Sequence, residues 1–181
     1  MKNILVLSTV LLTAVAFRNS AAYLPTDEGS EIKFKIKNLG ITVDGTLKGL
    51  NGLIEFDPAN PTQARFDVTA DANSINTGIR ARDNHLRKED YFNVLKYPAI
   101  KFSATKVTST GTANNFMMYG NLTIKNVTKA ISFPFTVSQI NNGLLFKGEF
   151  KIDRRDYAVG GNSMTLSDNV SLFLSVFAKS K

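Results

Sequence analysis

One segment of the chain concentrates the side chains that could bind anions or transfer protons. Eight charged or imidazole groups crowd between Arg80 and Asp90, and two aromatic residues follow directly. Guanidinium and imidazole groups this close together could bind the polar or anionic end of a ligand. For any one of them, a solvated side chain paired with a neighbouring acid is the commoner arrangement. The residues predicted to contact a headgroup are Arg80, Arg82, His85 and Arg87.

His85 is the only histidine, so the case for catalysis depends on it. A Ser-His-Asp arrangement around it is spatial, and sequence alone leaves it open. The chain has neither a G-x-S-x-G nor an H-E-x-x-H motif. We therefore expect His85, beside Asp83, to be structural and to hold this segment to the rest of the fold through hydrogen bonds. Because the chain also has no cysteine, we predict no metal site, no enzyme activity and no cofactor other than a bound ligand.

The elements that must position this segment are β-strands. Apolar residues alternate with charged or polar ones in about eight stretches, such as 32–37 and 144–153, and turn residues separate most of them. An antiparallel meander of this length closes into a barrel or packs as a sandwich. Pro134 interrupts one stretch, and because proline cannot donate to a ladder we expect a bulge or an unpaired strand end there.

The charged segment itself is predicted to be a helical insert between strands, at about residues 80–96. Asp83 or Asn84 could cap the helix, and Pro98 would end it. Its apolar face would comprise Leu86, Tyr91, Val94 and Leu95.

A barrel of eight strands is either filled by side chains or wide enough for one small ligand. The inward-facing positions carry many phenylalanines, which favour a filled core, but also small residues at Ala70, Ala104, Gly120 and Gly148, which favour a tunnel. The walls of such a tunnel would be apolar and uncharged, so its ligand would be a hydrocarbon chain, isoprenoid or fatty-acyl. The residues predicted to line it are Phe34, Ile36, Phe66, Val68, Phe102, Met118, Gly120, Leu122, Phe133, Phe135, Phe146, Gly148, Phe150, Leu172 and Leu174.

Residues 1–22 have the pattern of a cleaved signal peptide. Lys2 precedes an apolar run from Ile4 to Phe17, and small residues follow at 20–22. Residues 23–181 then form one predicted domain, exported to the periplasm or secreted. Lys2 and Arg18 lie in the removed segment, so the formal net charge falls from +7 to +5. A moderately basic surface suits transient contact with anionic membranes, whereas no nucleic-acid-binding motif is present.

Five segments, in order and spacing, resemble the YceI-like family. The resemblance implies a lipocalin-like antiparallel barrel that binds a polyisoprenoid or related long-chain lipid along its axis. Asn126 replaces the second glycine of one family element, and two further departures matter more: Lys37-Asn38 stands where a histidine is frequent, and Ala158 stands where a glycine is frequent. The matching segments are residues 45–61 (GTLKGLNGLIEFDPANP), 74–87 (SINTGIRARDNHLR), 90–102 (DYFNVLKYPAIKF), 120–128 (GNLTIKNVT) and 152–157 (IDRRDY).

Two alternatives to a lipid carrier remain open from the sequence. Alternation does not say which face of a strand points inward, so a small outer-membrane barrel is one alternative. A non-binding structural or stress-related module with a filled core is the other. Outward-facing Phe173 and Phe177 would suit a membrane-facing surface or a homodimer interface.

Overall fold

The computed structural model describes residues 21–181, so the predicted signal peptide lies almost wholly outside the described residues. Nine strands and one short α-helix make up the fold of these residues. Two 3₁₀ helices lie at Pro61–Gln63 and Arg154–Tyr157. The strands are β1 Ala22–Pro25, β2 Glu31–Asn38, β3 Ile41–Glu55, β4 Arg65–Asn76, β5 Ala99–Ser109, β6 Asn115–Ile124, β7 Val127–Ile140, β8 Gly143–Asp153 and β9 Leu166–Ser180, with α1 at Arg80–Leu86.

Strands β2 to β9 form a closed antiparallel barrel. The sheet order runs β3-β2-β9-β8-β7-β6-β5-β4, and pairing of β3 with β4 closes it. The prediction of an eight-stranded antiparallel barrel is therefore confirmed. Strand β1 lies outside the set of eight. The alternation of apolar and polar residues did not predict it, because it is only four residues long. It continues the course of β2, pairing with β3 at Ala22–Glu55 and with β9 at Tyr23–Ser180.

The two ends of the barrel differ in their connections. The β2–β3, β4–β5, β6–β7 and β8–β9 connections lie at one end, which we call the insert end because residues 77–98 join β4 to β5 there. We call the other the phenylalanine end, since five mutually packed rings fill it. Phe56 is 1% exposed, and its ring centroid lies 5.2 Å from that of Phe116 and 5.7 Å from that of Phe146. The other two rings are those of Phe66 and Phe135.

Pro134 marks the point where β7 separates from β8, as its sequence position predicted. Pro134 still pairs with Met117 of β6, but the β7–β8 ladder stops next to it, at Phe135–Gly148. Side chains bridge the gap beyond: the rings of Phe133 and Phe150 stack with centroids 4.4 Å apart. The barrel wall is therefore held there by apolar packing rather than by backbone hydrogen bonds.

The insert is less helical than its charge pattern predicted. Helix α1 ends at Leu86, and turns occupy the remainder up to Pro98. The backbone N–H of Phe92 donates to the Leu86 carbonyl at 3.0 Å and that of Val94 donates to the Arg87 carbonyl at 3.1 Å, so the chain folds back on the helix end. This return buries Val94 but leaves Leu95 fully exposed, so the predicted apolar face was wrong at Leu95.

The predicted helix cap was also wrong. The helix begins after Ile79, and Asp83 lies inside it with 7% of its surface exposed. The Asp83 carboxylate accepts hydrogen bonds from the backbone N–H and the hydroxyl of Thr77, which precedes the helix. Asp83 thus anchors the helix to the end of β4 instead of capping it. No helix within residues 21–181 is long and apolar enough to cross a membrane.

Candidate ligand cavity

A cavity of about 260 Å³ lies inside the barrel, between the phenylalanine end and the insert end. Its volume is close to the lower end of the range of about 300–1,000 Å³ typical of small-molecule sites. Alternation places its wall residues, because successive side chains of a strand point to opposite faces. Of the fifteen predicted cavity residues, fourteen border it. They are Phe34, Ile36, Phe66, Val68, Phe102, Met118, Leu122, Phe133, Phe135, Phe146, Gly148, Phe150, Leu172 and Leu174.

Gly120 is the predicted cavity residue that does not border the space. A Cβ atom built on Gly120 would lie 2.4 Å from the Phe102 ring, which therefore covers the glycine. Phe34 covers Gly45 in the same way, at 2.1 Å, and Phe133 lies 3.1 Å from a Cβ on Gly148. The glycines do not leave open space themselves. They let aromatic rings approach the backbone of the wall closely, as in the aromatic rescue of strand glycines.

The sequence prediction missed many other residues that border the cavity. Ile152 shares the inward face of β8 with Phe150, and Asn38 shares that of β2 with Ile36, so alternation alone could have identified both. Tyr91 and Phe92 enter from the insert, and Tyr157 enters from the second 3₁₀ helix. These three residues lie outside the strands, so the alternation of inward- and outward-facing residues could not predict them.

The four predicted headgroup residues have different surroundings. Arg82 alone borders the cavity, and its Nε and Nη2 atoms donate to the hydroxyl and carbonyl of Thr77, each at 2.7 Å. Arg87 donates to the backbone carbonyls of residues 73 and 75 and to a side chain at 84, so all three of its nitrogens are used within the insert and β4. Arg80 and His85 are exposed.

His85 contacts the insert through its ring. Its imidazole lies edge-on to Tyr91, with centroids 4.9 Å apart. The hydrogen bonds that we expected from His85 are not among the contacts of residues 21–181. Within residues 21–181, the arginines of the insert also form no salt bridges with the acidic residues of the insert. The insert is held by Arg82, Arg87 and Asp83 acting on backbone groups instead.

Arg154 organises the loop between β8 and β9 at the insert end. Its side chain is 4% exposed, and its Nη2 lies 2.8 Å from an Asp168 carboxylate oxygen. Its Nη1 donates to the carbonyls of Val159, Gly160 and Gly161 at 2.9 to 3.1 Å. The loop therefore folds around one buried guanidinium.

The same loop is tied to the insert. The Gly160 N–H donates to the Asp90 carbonyl at 2.7 Å. Lys125, in the β6–β7 turn, donates to the carbonyls of Glu89 and Ala158 at 2.9 and 2.8 Å. Hydrogen bonds therefore join the β4–β5, β6–β7 and β8–β9 connections at the insert end, and we call these three connections the rim.

Tyr157 sits inside this rim. It is 1% exposed, packs with Leu122, Ile124 and Val159, and borders the cavity. Burial, together with the nearby charge of Asp156, raises the pKa of its hydroxyl to about 12. The phenol is therefore a neutral hydrogen-bond donor over the whole physiological pH range.

Known proteins share this architecture. The YceI-like domain model matches residues 23–178. Protein YceI of Salmonella arizonae is 32% identical over 166 residues, which cover 87% of this chain and 86% of that protein. The Campylobacter jejuni YCEI crystal structure superimposes with a TM-score of 0.70 at 32% identity, over 77% of this chain and 85% of the other.

Two further solved structures share the fold at lower identity. The Burkholderia cenocepacia protein BcnA has a TM-score of 0.80 at 24% identity, over 86% of this chain and 99% of that one. A polyisoprenoid binding domain from Saccharophagus degradans has a TM-score of 0.70 at 17% identity, over 90% and 99% of the two chains. The family match over nearly all the described residues, together with the barrel and its insert, shows that this chain belongs to the YceI-like family.

Proposed function

We propose that this protein binds a long-chain amphipathic lipid inside its barrel and sequesters or carries it. The proposal rests on the cavity inside the barrel, whose surface is almost entirely apolar. Each methylene that leaves water contributes roughly 0.8 kcal/mol, so a long chain gains affinity without many polar contacts. Family membership supports lipid binding, and the polyisoprenoid binding domain of S. degradans has the same fold.

The lipid chain, in this proposal, lies along the barrel axis. Its tail points to the phenylalanine end, which the packed rings of Phe56 and its neighbours close. Its polar end faces the insert end, where Asn38, Thr77, Arg82, Arg154 and Tyr157 border the cavity. A polyisoprenoid and a fatty-acyl chain both suit these walls. We propose the polyisoprenoid because the family resemblance adds to the physical argument. A headgroup that reaches beyond the rim would meet Arg80 and His85 on the insert.

The proposed role is transfer or storage without catalysis, after export to the periplasm or the medium. We further propose transient contact with an anionic membrane at the insert end. Exposed aliphatic side chains there lie next to lysine or arginine: Leu39 and Ile41 (74% and 70% exposed) follow Lys37, and Ile79 (53%) precedes Arg80. Apolar side chains flanked by cations suit an anionic lipid surface.

Outward-facing charges support the carrier over the outer-membrane barrel. A barrel wall that faces lipid carries apolar residues outward, whereas Lys33 and Lys35 of β2 form exposed salt bridges with Glu31 and Asp44. The outward aromatic residues have partners within the chain. Lys35 lies over the Phe173 ring at 5.5 Å, and the β1–β2 loop packs on Phe177 through Gly29. These contacts also weaken the case for a homodimer through the two rings.

A matched pair of tryptophan variants on β9 tests the proposal. Leu172 borders the cavity between Phe34 and Phe150, so Leu172→Trp should fill part of it. Overpacking of this kind costs about 1–3 kcal/mol of stability, and we expect lipid affinity to fall at least about tenfold. Ser171→Trp is the control, because Ser171 pairs with the outward-facing Lys35 and Lys151.

Binding is measured by displacement of a fluorescent fatty acid from each folded variant, with folding checked by circular dichroism. If Leu172→Trp bound the probe as tightly as Ser171→Trp, the lumen would not be the site. The non-binding module with a filled core would be the better description if the folded wild type and both variants failed to bind the probe.

A further inference from the structure

Two buried polar atoms at the insert end of the cavity have no hydrogen-bond partner among residues 21–181. They are the Oδ1 atom of Asn38 and the hydroxyl of Tyr157, and both residues border the cavity. Asn38 ends β2 and Tyr157 ends the second 3₁₀ helix, so both belong to the insert end. A buried polar atom without a partner costs about 1–3 kcal/mol. We call these two residues the polar collar.

The charged groups that border the cavity near the collar already have partners. Arg154 is paired with Asp168 and donates to surrounding carbonyls. Arg82 and Asp83 are joined through Thr77, whose hydroxyl accepts from Arg82 Nε and donates to the Asp83 carboxylate. An anionic group entering the cavity beside them would therefore meet two arginines already bound to protein groups, while Lys101 and Lys147, which also border the cavity, are exposed. Burying an anion without a paired charge is strongly unfavourable.

The collar offers one acceptor and one donor, both uncharged. Asn38 Oδ1 accepts hydrogen bonds only. The Tyr157 hydroxyl is protonated below its raised pKa of about 12, so it donates. A hydroxyl group complements this pair, since it donates through its hydrogen and accepts through its oxygen.

We infer that the polar collar, Asn38 with Tyr157, binds the uncharged hydroxyl end of a long-chain alcohol whose hydrocarbon tail extends toward the phenylalanine end. This assignment rests on the proposed function and specifies its ligand class. The alcohol donates to Asn38 Oδ1 and accepts from the Tyr157 hydroxyl. The corresponding carboxylate or diphosphate offers only acceptors, so it leaves the Oδ1 atom of Asn38 without a donor, and it brings an uncompensated charge.

The test offers three C20 isoprenoids that differ only at their polar end. The delipidated protein, residues 23–181 without the predicted signal peptide, is incubated with an equimolar mixture of geranylgeraniol, geranylgeranyl diphosphate and the matching C20 hydrocarbon. It is then repurified, and the bound lipids are extracted and quantified by chromatography. The variants are Tyr157→Phe and Asn38→Leu. Tyr97→Phe is the control, because it removes a phenol from the insert without bordering the cavity.

We expect the wild type and Tyr97→Phe to retain the alcohol at least about tenfold over either competitor, the effect of satisfying a buried hydroxyl. Tyr157→Phe should lose about tenfold of this preference over the hydrocarbon while still binding total lipid, and Asn38→Leu should act in the same direction. Equal retention of alcohol and hydrocarbon by the wild type, or preference for the diphosphate, would overturn the collar assignment and leave lipid binding intact. If no lipid at all were retained by the folded wild type, the proposed function itself would fail.

Discussion

Replacing the buried Arg154 by methionine should destabilise the fold far more than the same change at its neighbour. Arg154 is 4% exposed and paired with Asp168 at 2.8 Å, whereas Arg155 is half exposed and lies 3.4 Å from the other oxygen of that carboxylate. The two arginines therefore share one acidic partner but differ in burial. Methionine keeps most of the side-chain volume while it removes every donor.

The magnitude follows from what Arg154→Met leaves behind. Removing one partner of a buried ion pair costs about 3–5 kcal/mol. Asp168 is 37% exposed, so water partly replaces the hydrogen bond that its carboxylate loses. The carbonyls of Val159 and Gly160 are in buried residues and lose a charged donor at 2.9 and 3.1 Å. We expect about 4 kcal/mol in total, which for a domain of this size corresponds to a fall in Tm of about 8–16 °C.

Urea unfolding followed by circular dichroism, with a thermal scan, measures the difference. Arg155→Met is the matched control and should cost about 0–1 kcal/mol, as exposed ion pairs do. If the two variants differed by less than about 1 kcal/mol, the idea that one buried guanidinium organises the β8–β9 loop would be wrong.

Two further predictions concern the rim and its buried phenol. The double variant Leu39→Glu with Ile41→Glu replaces two exposed aliphatic side chains by acids. In co-sedimentation it should bind vesicles containing anionic phosphatidylglycerol at least about fivefold more weakly than the wild type. Unchanged binding would show that the insert end does not contact the membrane. The pKa of the Tyr157 hydroxyl is about 12 in the folded state and about 10 in the unfolded chain. Between these pH values the folded state binds more protons than the unfolded state. The free energy of unfolding therefore falls as the pH rises from about 10 to about 12. Wild type should therefore lose more stability than Tyr157→Phe between pH 10 and 12, and parallel curves would show that the phenol is not buried.

The barrel could be predicted from sequence because its strands obey a simple rule. One face of each strand is buried, so apolar residues recur at every second position, as in Phe146, Gly148 and Phe150. The same rule identified fourteen of the residues that border the cavity. It also located the end of the β7–β8 ladder, because Pro134 lacks the N–H that the ladder needs. Family resemblance resolved the choice between barrel and sandwich, which alternation left open.

The insert could not be predicted in the same detail because its conformation depends on tertiary contacts. Leu95 follows the buried Val94 in a turn, and nothing in the local pattern shows that Leu95 is exposed. Asp83 resembles a helix cap in sequence, but its carboxylate binds Thr77 because the end of β4 lies beside the helix. Helices this short derive their bounds from packing rather than from propensity.

One departure from the family pattern has a physical counterpart at the rim. Ala158 stands where glycine is frequent, and its backbone has a φ of +53°. That conformation favours glycine, since a Cβ atom is strained there. The loop holds it through the Lys125 hydrogen bond to the Ala158 carbonyl and through the adjacent Arg154 network. Sequence comparison identified the position, but only the structure shows what maintains it.

Native mass spectrometry of the purified, folded protein, followed by extraction of any added mass, shows whether the barrel holds a lipid. We expect one lipid per chain, with the mass of an isoprenoid or acyl compound, and its loss from Leu172→Trp but not from Ser171→Trp. A mass equal to that of the bare chain, unchanged after incubation with total membrane lipid, would refute lipid binding and indicate a barrel that holds no ligand.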